Sequence, residues 1–267
     1  MTHHLRFAGR RLGFLLLPLL LIIAAGSWYL LDPGFRAGQQ LEAPLETLPQ
    51  DAFERRVREY LVANPEVIVE AMRNLEQRQR GAEQTEAQAA LATHRDELLN
   101  SPESPVGGNP QGDVTLVEFF DYNCPYCREV APAMVEAEAG DPQLRIVYKE
   151  FPILGPNSVF AARAALAARR QNDYPRFHKA LMQVSGSADE ARVLAIAEEI
   201  GLDLEQLRTD MADPAIDAEI ERNFALAQAL RINGTPGFAI GDEILRGATD
   251  LQTLQGLIER AREGDNR

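Results

Sequence analysis

Two cysteines occur in the 267 residues, and both stand in FDYNCPYCR, residues 120–128. Only Pro125 and Tyr126 separate Cys124 from Cys127, so on a helix the second sulfur lies about one turn beyond the first. VTLVEFF, residues 114–120, comes just before them and has the apolar, β-branched and aromatic character of a strand buried on both faces. Glu129 to Ala139 reads as helix. A cysteine at such a strand-to-helix junction holds its sulfur over the free N–H groups of the first turn, which together with the helix dipole stabilise a thiolate. Lowering its pKa makes Cys124 both a better attacking group and a better leaving group in disulfide exchange. Pro125 suits the first turn, where its missing N–H would have had no helical partner. Other uses of the pair are weaker. A disulfide closing so small a ring constrains little of the unfolded chain. A structural zinc wants four ligands, and outside the leader only His94 and His178 are on offer, neither near the cysteines in sequence. A two-coordinate Cu(I) site stays open, because soft thiolates favour that ion.

Glu118 is an acid inside the apolar strand, six positions before Cys124, and is expected beneath the active-site helix, the alternative being an exposed glutamate at a sheet edge. A buried carboxylate needs a partner, and Lys149, at the end of the next strand, is the candidate neighbour. Such a pair can relay protons for Cys127. NGTPGF, residues 233–238, places Thr235 and Pro236 at the start of a late strand, where Thr235 can offer backbone groups to an extended peptide.

The elements that must position these residues follow from pattern. LRIVY, residues 144–148, reads as a second strand. Helix follows helix from Pro156 to about Asp210, with capping-box spacing at Ser187/Glu190 and a looser version at Asp203/Gln206. Asp213-Pro214 opens an amphipathic helix, GFAIGDEILRG (237–247) reads as a hairpin, and Thr249 with Gln252 caps a last helix. Strand, helix, strand, helices, hairpin and helix in that order predict a mixed α/β sheet whose first two strands are parallel.

The N-terminal third is different. Residues 12–31 form an uncharged apolar stretch of bilayer-spanning length, preceded by arginines and followed by Asp32. The expectation is an uncleaved anchor over 1–31, with a cleaved signal peptide and a twin-arginine signal as alternatives. Each exports the remainder to a compartment where disulfides persist. Residues 32–49 read as a Pro/Gly linker and 50–100 as a helical segment whose apolar stripes, Phe53, Val57, Tyr60 and Leu61, then Val67, Ile68, Ala71, Met72 and Leu75, need a partner. That partner is either the main domain, 101–267, or the same segment of another copy. A net charge of −13 excludes nucleic-acid binding through a basic patch.

Together these features resemble the thioredoxin superfamily. Cys127 and Pro236 are 109 residues apart, far more than in thioredoxins or glutaredoxins, and a helical insertion there, about 156–210, is similar to that of the DsbA family. FDYNCPYCR, KEFPILGPNSVFAARAALAA and INGTPGF resemble its Com1/ScsC-type branch. The resemblance implies a thioredoxin fold with a helical insertion, preceded by an N-terminal helical segment and a transmembrane or signal helix. It implies Cys124 as nucleophile, Cys127 as resolving thiol, Pro236 as the cis-proline, Thr235 as its peptide-contacting neighbour, and Glu118 and Lys149 as the buried acid and its basic partner. Tyr126 stands where DsbA proper has histidine. No cofactor is implied beyond the Cys124–Cys127 disulfide, and no metal. The implied partners are protein thiols and disulfides in the bacterial periplasm or envelope, a membrane redox protein that recycles the pair, and further copies of the chain through 50–99. The rival functions are a Cu(I)-binding copper-tolerance protein and a peptide-binding chaperone.

Overall fold

The computed structural model describes residues 49–265, and the expected leader and nearly all of the linker lie outside them. Among the described residues no helix is long and apolar enough to cross a membrane. The chain divides into two compact units at Asn74/Leu75.

The first unit contributes α1 (Gln50–Ala63) and the start of α2 (Glu66–Thr93). Pro65 directly precedes the second helix. No residue of α1 is buried, and Phe53, Val57, Tyr60, Ile68 and Met72 are all exposed.

The second unit is built on a five-stranded sheet in the order β1-β3-β2-β4-β5. Its strands are β1 (Val106–Gly108), β2 (Val114–Phe120), β3 (Leu144–Glu150), β4 (Gly237–Ile240) and β5 (Glu243–Arg246). β2 and β3 are parallel, joined by α4 (Pro125–Gly140), and the other neighbours are antiparallel. The central strands are buried on both faces, which is why β2 lacks the alternation of a half-exposed strand. β1 falls within the Pro/Gly-rich stretch 101–113 that joins the helical segment to the rest of the chain. Three residues are too few to show a period.

Leu116, Phe120, Ile146 and Phe238 point to one face of the sheet, with Val130 and Met134 of α4 and Leu254 and Ile258 of α10 (Leu251–Asp265). Val117, Phe119, Val147 and Ala239 point to the other, against Leu226 of α9 (Pro214–Ala229), Leu230 just beyond its end and Leu98 of α3 (Arg95–Asn100). The insertion comprises α5 (Pro156–Ala168), α6 (Tyr174–Met182), α7 (Glu190–Glu199) and α8 (Leu204–Met211). Six alanines of α5 are buried, and their small side chains let it run among α6, α7, α8 and α9. Asp203 caps α8 by accepting from Gln206 N–H at 3.0 Å, as the spacing predicts, a contact typically worth about 1 kcal/mol. Two other caps are corrected by two residues or fewer. Asp189 rather than Ser187 caps α7, and Asp250 rather than Thr249 accepts from Thr253 N–H. Aspartate in each case stands nearer the first turn and brings a charge that the helix N-terminus favours.

Candidate active site

Cys124 is the N-cap of α4, in extended conformation, and Pro125 is the first helical residue. The turn before it is closed by Cys124 N–H donating to Asp121 O at 3.0 Å. The Asp121 carboxylate, 1% exposed, accepts from Asn123 N–H at 2.7 Å and from Leu154 N–H at 2.9 Å, so one buried side chain ties together the loops that leave β2 and β3. Asn123 then reaches the insertion: its Oδ1 accepts from Ala188 N–H at 2.8 Å and its Nδ2 donates to Ser158 Oγ at 3.2 Å. Sequence reasoning missed both residues. Their signal was weak: an Asx pair in a tight turn reads as turn chemistry and nothing more.

The cysteines have opposite characters. The Cys124 thiol is lowered to about 5, first by the hydrogen bond from Cys127, then by Thr235 and by the N–H groups of Cys127 and Tyr126, against the cost of burial. Cys127 is 0% exposed, and its thiol is pushed far up by the proton it shares with Cys124, by burial and by the charge of Glu118. One sulfur is therefore ready to attack while the other holds its proton. Tyr126 is exposed at the rim. Thr235 and Pro236, joined by a cis peptide bond, arrive from the loop before β4, and the carbonyl of Thr235 lies 3.3 Å from Cys124 Sγ. Gly237 is required by packing within that loop, since a Cβ there would meet Ile232 Cγ2 at 2.5 Å.

Glu118 is 2% exposed on the α4 face, and burial raises its carboxyl to about 8. Its expected partner is corrected. In the parallel register Glu118 lies opposite Tyr148, so Lys149, the next residue, points to the other face of the sheet. There Lys149 Nζ donates to Glu97 O and Ser104 Oγ, each at 2.8 Å, and Ser104 Oγ donates to Glu219 Oε1 at 2.9 Å.

Another buried cluster sits on the Glu118 face. Glu150 Oε1 accepts from Tyr122 Oη at 3.0 Å and Tyr174 Oη at 2.9 Å, and His178 Nδ1 lies 3.0 Å from Tyr122 Oη. Burial lifts the Glu150 carboxyl well above its ordinary range and lowers His178 to about 3. His178 thus belongs to this aromatic cluster, stacked on Tyr174. Among the described residues no group of three or more His, Cys, Asp or Glu side chains is placed to hold a metal ion.

The model of the DSBA-like thioredoxin domain matches residues 115–259. The chain belongs to the DsbA-like thioredoxin family. The copper resistance protein ScsC N-terminal domain matches residues 50–82, which places this DsbA-like chain in the ScsC-like branch. A thioredoxin-like oxidoreductase from Silicibacter pomeroyi is 54% identical, with a TM-score of 0.62, covering 63% of this chain and 98% of that one. A Proteus mirabilis ScsC variant with a linker deletion is 28% identical at a TM-score of 0.62, over 80% and 97% of the two chains. The thiol-disulfide exchange protein α-DsbA2 of Wolbachia pipientis is 28% identical at a TM-score of 0.63, over 67% and 97%. The match also extends to Na+/H+ antiporters NhaA: that of Herminiimonas arsenicoxydans is 30% identical over 173 residues, and the matched region spans 28% of its length. The DsbA-like chain thus corresponds to about a quarter of these curated relatives.

Proposed function

We propose that the chain is a thiol–disulfide oxidoreductase acting on protein thiols outside the cytoplasm. The observation that carries this reading is the geometry of the pair: Cys124 at the N-cap of α4 with its sulfur 3.3 Å from the Thr235 carbonyl, beside a fully buried Cys127, an arrangement that lowers the first thiol and raises the second. In the oxidised protein a substrate thiolate attacks Cys124 Sγ, forms a mixed disulfide and expels Cys127 as a thiolate, which takes up a proton. A second substrate thiolate then attacks the substrate sulfur and releases Cys124, the better leaving group. In reverse, the Cys124 thiolate attacks a substrate disulfide, and Cys127 loses its proton and resolves the intermediate. Glu118, the carboxyl on the same face, accepts and returns the Cys127 proton. Thr235 and Pro236 present the edge along which an extended substrate lies.

A membrane redox protein recharges the pair, and residues 12–31 tether the domain to the envelope. The exposed apolar residues of α1 and the start of α2 join copies of the chain. Equilibration with glutathione buffers, read by mass after alkylation, is the decisive experiment. A single exchange equilibrium lost in Cys124→Ser is expected, and stoichiometric Cu(I) binding without dithiol turnover overturns the reading in favour of a copper site. Sedimentation of residues 50–267 beside 100–267 tests assembly. The longer chain is expected to associate, and two monomers refute it.

A further inference from the structure

Arg128, which follows Cys127 in the first turn of α4, is pinned rather than free. Its Nε donates to the carbonyl of Tyr122 at 2.7 Å and its Nη1 to the carbonyl of Gly186 in the insertion. Both contacts hold the guanidinium beside the N-terminal end of the helix, next to the turn that carries Cys124. Its Nη2 is buried and has no hydrogen-bond partner. Arg163, Arg170 and Arg262 each hold an aspartate, whereas no carboxylate among the described residues forms an ion pair with Arg128. The charges it feels are Asp121, Cys124 and Cys127. Asp121 spends both carboxylate oxygens on backbone N–H groups.

A partly buried cation without a paired anion is costly, and the cost falls when a negative charge appears beside it. Here the charge appears with the redox state. Two glutathione thiols reduce the Cys124–Cys127 disulfide to a Cys124 thiolate and a Cys127 thiol, yielding one glutathione disulfide and one released proton. The disulfide is neutral, and the reduced pair is not. The other charged groups around the pair are acidic: Glu118 from β2, which acts on Cys127, and Asp121 from the following turn, whose charge acts on Arg128 itself. The cis-proline loop offers only the hydroxyl and carbonyl of Thr235, and the insertion offers the Gly186 carbonyl. Lys149 is on the other face of the sheet.

We propose that Arg128 is a positioning residue that supplies the counter-charge of the Cys124 thiolate and so tilts the cysteine pair toward its reduced form. This rests on the oxidoreductase reading, but the thiolate can be titrated without turnover, so the two fail separately.

The test compares Arg128→Met, Arg128→Lys and the distant control Arg163→Met in the full chain. Cys124 is titrated by ultraviolet thiolate absorbance and the pair is equilibrated with glutathione. Arg128→Met is expected to raise the Cys124 midpoint by roughly half to one pH unit and to shift the equilibrium about three- to tenfold toward the disulfide. Arg128→Lys, which keeps the charge and loses the fork, is expected to recover most of both. Where Arg128→Met does not fold, Arg128→Gln takes its place. The proposal is overturned if the neutral variant leaves the midpoint where Arg163→Met leaves it. It is equally overturned if Arg128→Lys moves it as far as the neutral variant, since hydrogen bonding rather than charge would then be the whole effect.

Discussion

The sulfur of Cys124 rests 3.3 Å from the carbonyl oxygen of Thr235, a residue 111 positions further along the chain. The contact closes the loop before β4 over the N-terminus of α4, and Thr235 also supports the thiolate through its side chain. Thr235→Val keeps the branched shape and removes the hydroxyl. Hydrogen bonds to charged groups are worth about 1.5–3 kcal/mol, so the Cys124 midpoint is expected to rise by roughly one to two pH units, with Thr235→Ser near wild type. Rates of iodoacetamide alkylation against pH measure it. A midpoint unmoved in Thr235→Val defeats the assignment.

The opposite characters of the two thiols predict one-sided modification. At neutral pH a single equivalent of alkylating agent is expected on Cys124, with Cys127 untouched until the protein unfolds. The Cys124 thiol is depressed to about 5 against an ordinary value of 9.0, so its thiolate stabilises the reduced protein most above the ordinary value. That stability is lost as pH falls through about 5. The oxidised protein, with no thiol to titrate, lacks this dependence, and paired unfolding curves of the two forms show the difference directly.

Glu118 runs the other way. Its folded carboxyl is raised to about 8 from 4.5, so the folded state holds a proton that the unfolded state has released. Its contribution is most favourable below about 4.5 and turns into a growing penalty up to about 8. Glu118→Gln is therefore expected to be more stable than wild type at pH 7, by roughly 3 kcal/mol, with the difference vanishing in acid. Resolution by Cys127 should slow in the same variant, because the proton acceptor is gone. Urea unfolding at several pH values separates the two effects. A variant less stable at every pH would mean that Glu118 is held ionised.

Features fixed by neighbours in sequence are legible in the sequence alone: the cysteines at a strand-to-helix junction, the Gly-Asp hairpin, the insertion, and Asp203 as a cap. What escaped depends on register and on distance along the chain. Whether residue 148 or 149 faces Glu118 is decided by how two parallel strands align, and neither strand shows alternation because both faces are buried. Glu150 lies just past the stretch read as the second strand, and the residues of its cluster, Tyr122, Tyr174 and His178, come from separate places in the chain. Ser187 has the spacing of a cap, yet its hydroxyl contacts Asn123 and Asn157 instead, a choice made by the fold around it.

The placement of Lys149 yields the last prediction. It lies 1% exposed on the face away from the cysteines, in a chain of contacts through Ser104 to Glu219, which Arg222 pairs from one side at 2.8 Å. Burial lowers its ammonium to about 8, while Glu219 and then Glu97 pull it back up. Lys149→Met removes the charge and leaves the buried Ser104 hydroxyl and the Glu97 carbonyl without the donor they share, a loss of about 3 kcal/mol. The Cys124 midpoint should stay at about 5, because the sheet separates the two sites. Were Lys149 the partner of Glu118, the same substitution would raise the Glu118 carboxyl further and change how Cys127 resolves. Urea unfolding beside the Cys124 titration distinguishes the arrangements: lost stability with unchanged thiol chemistry supports the one described, and altered thiol chemistry refutes it.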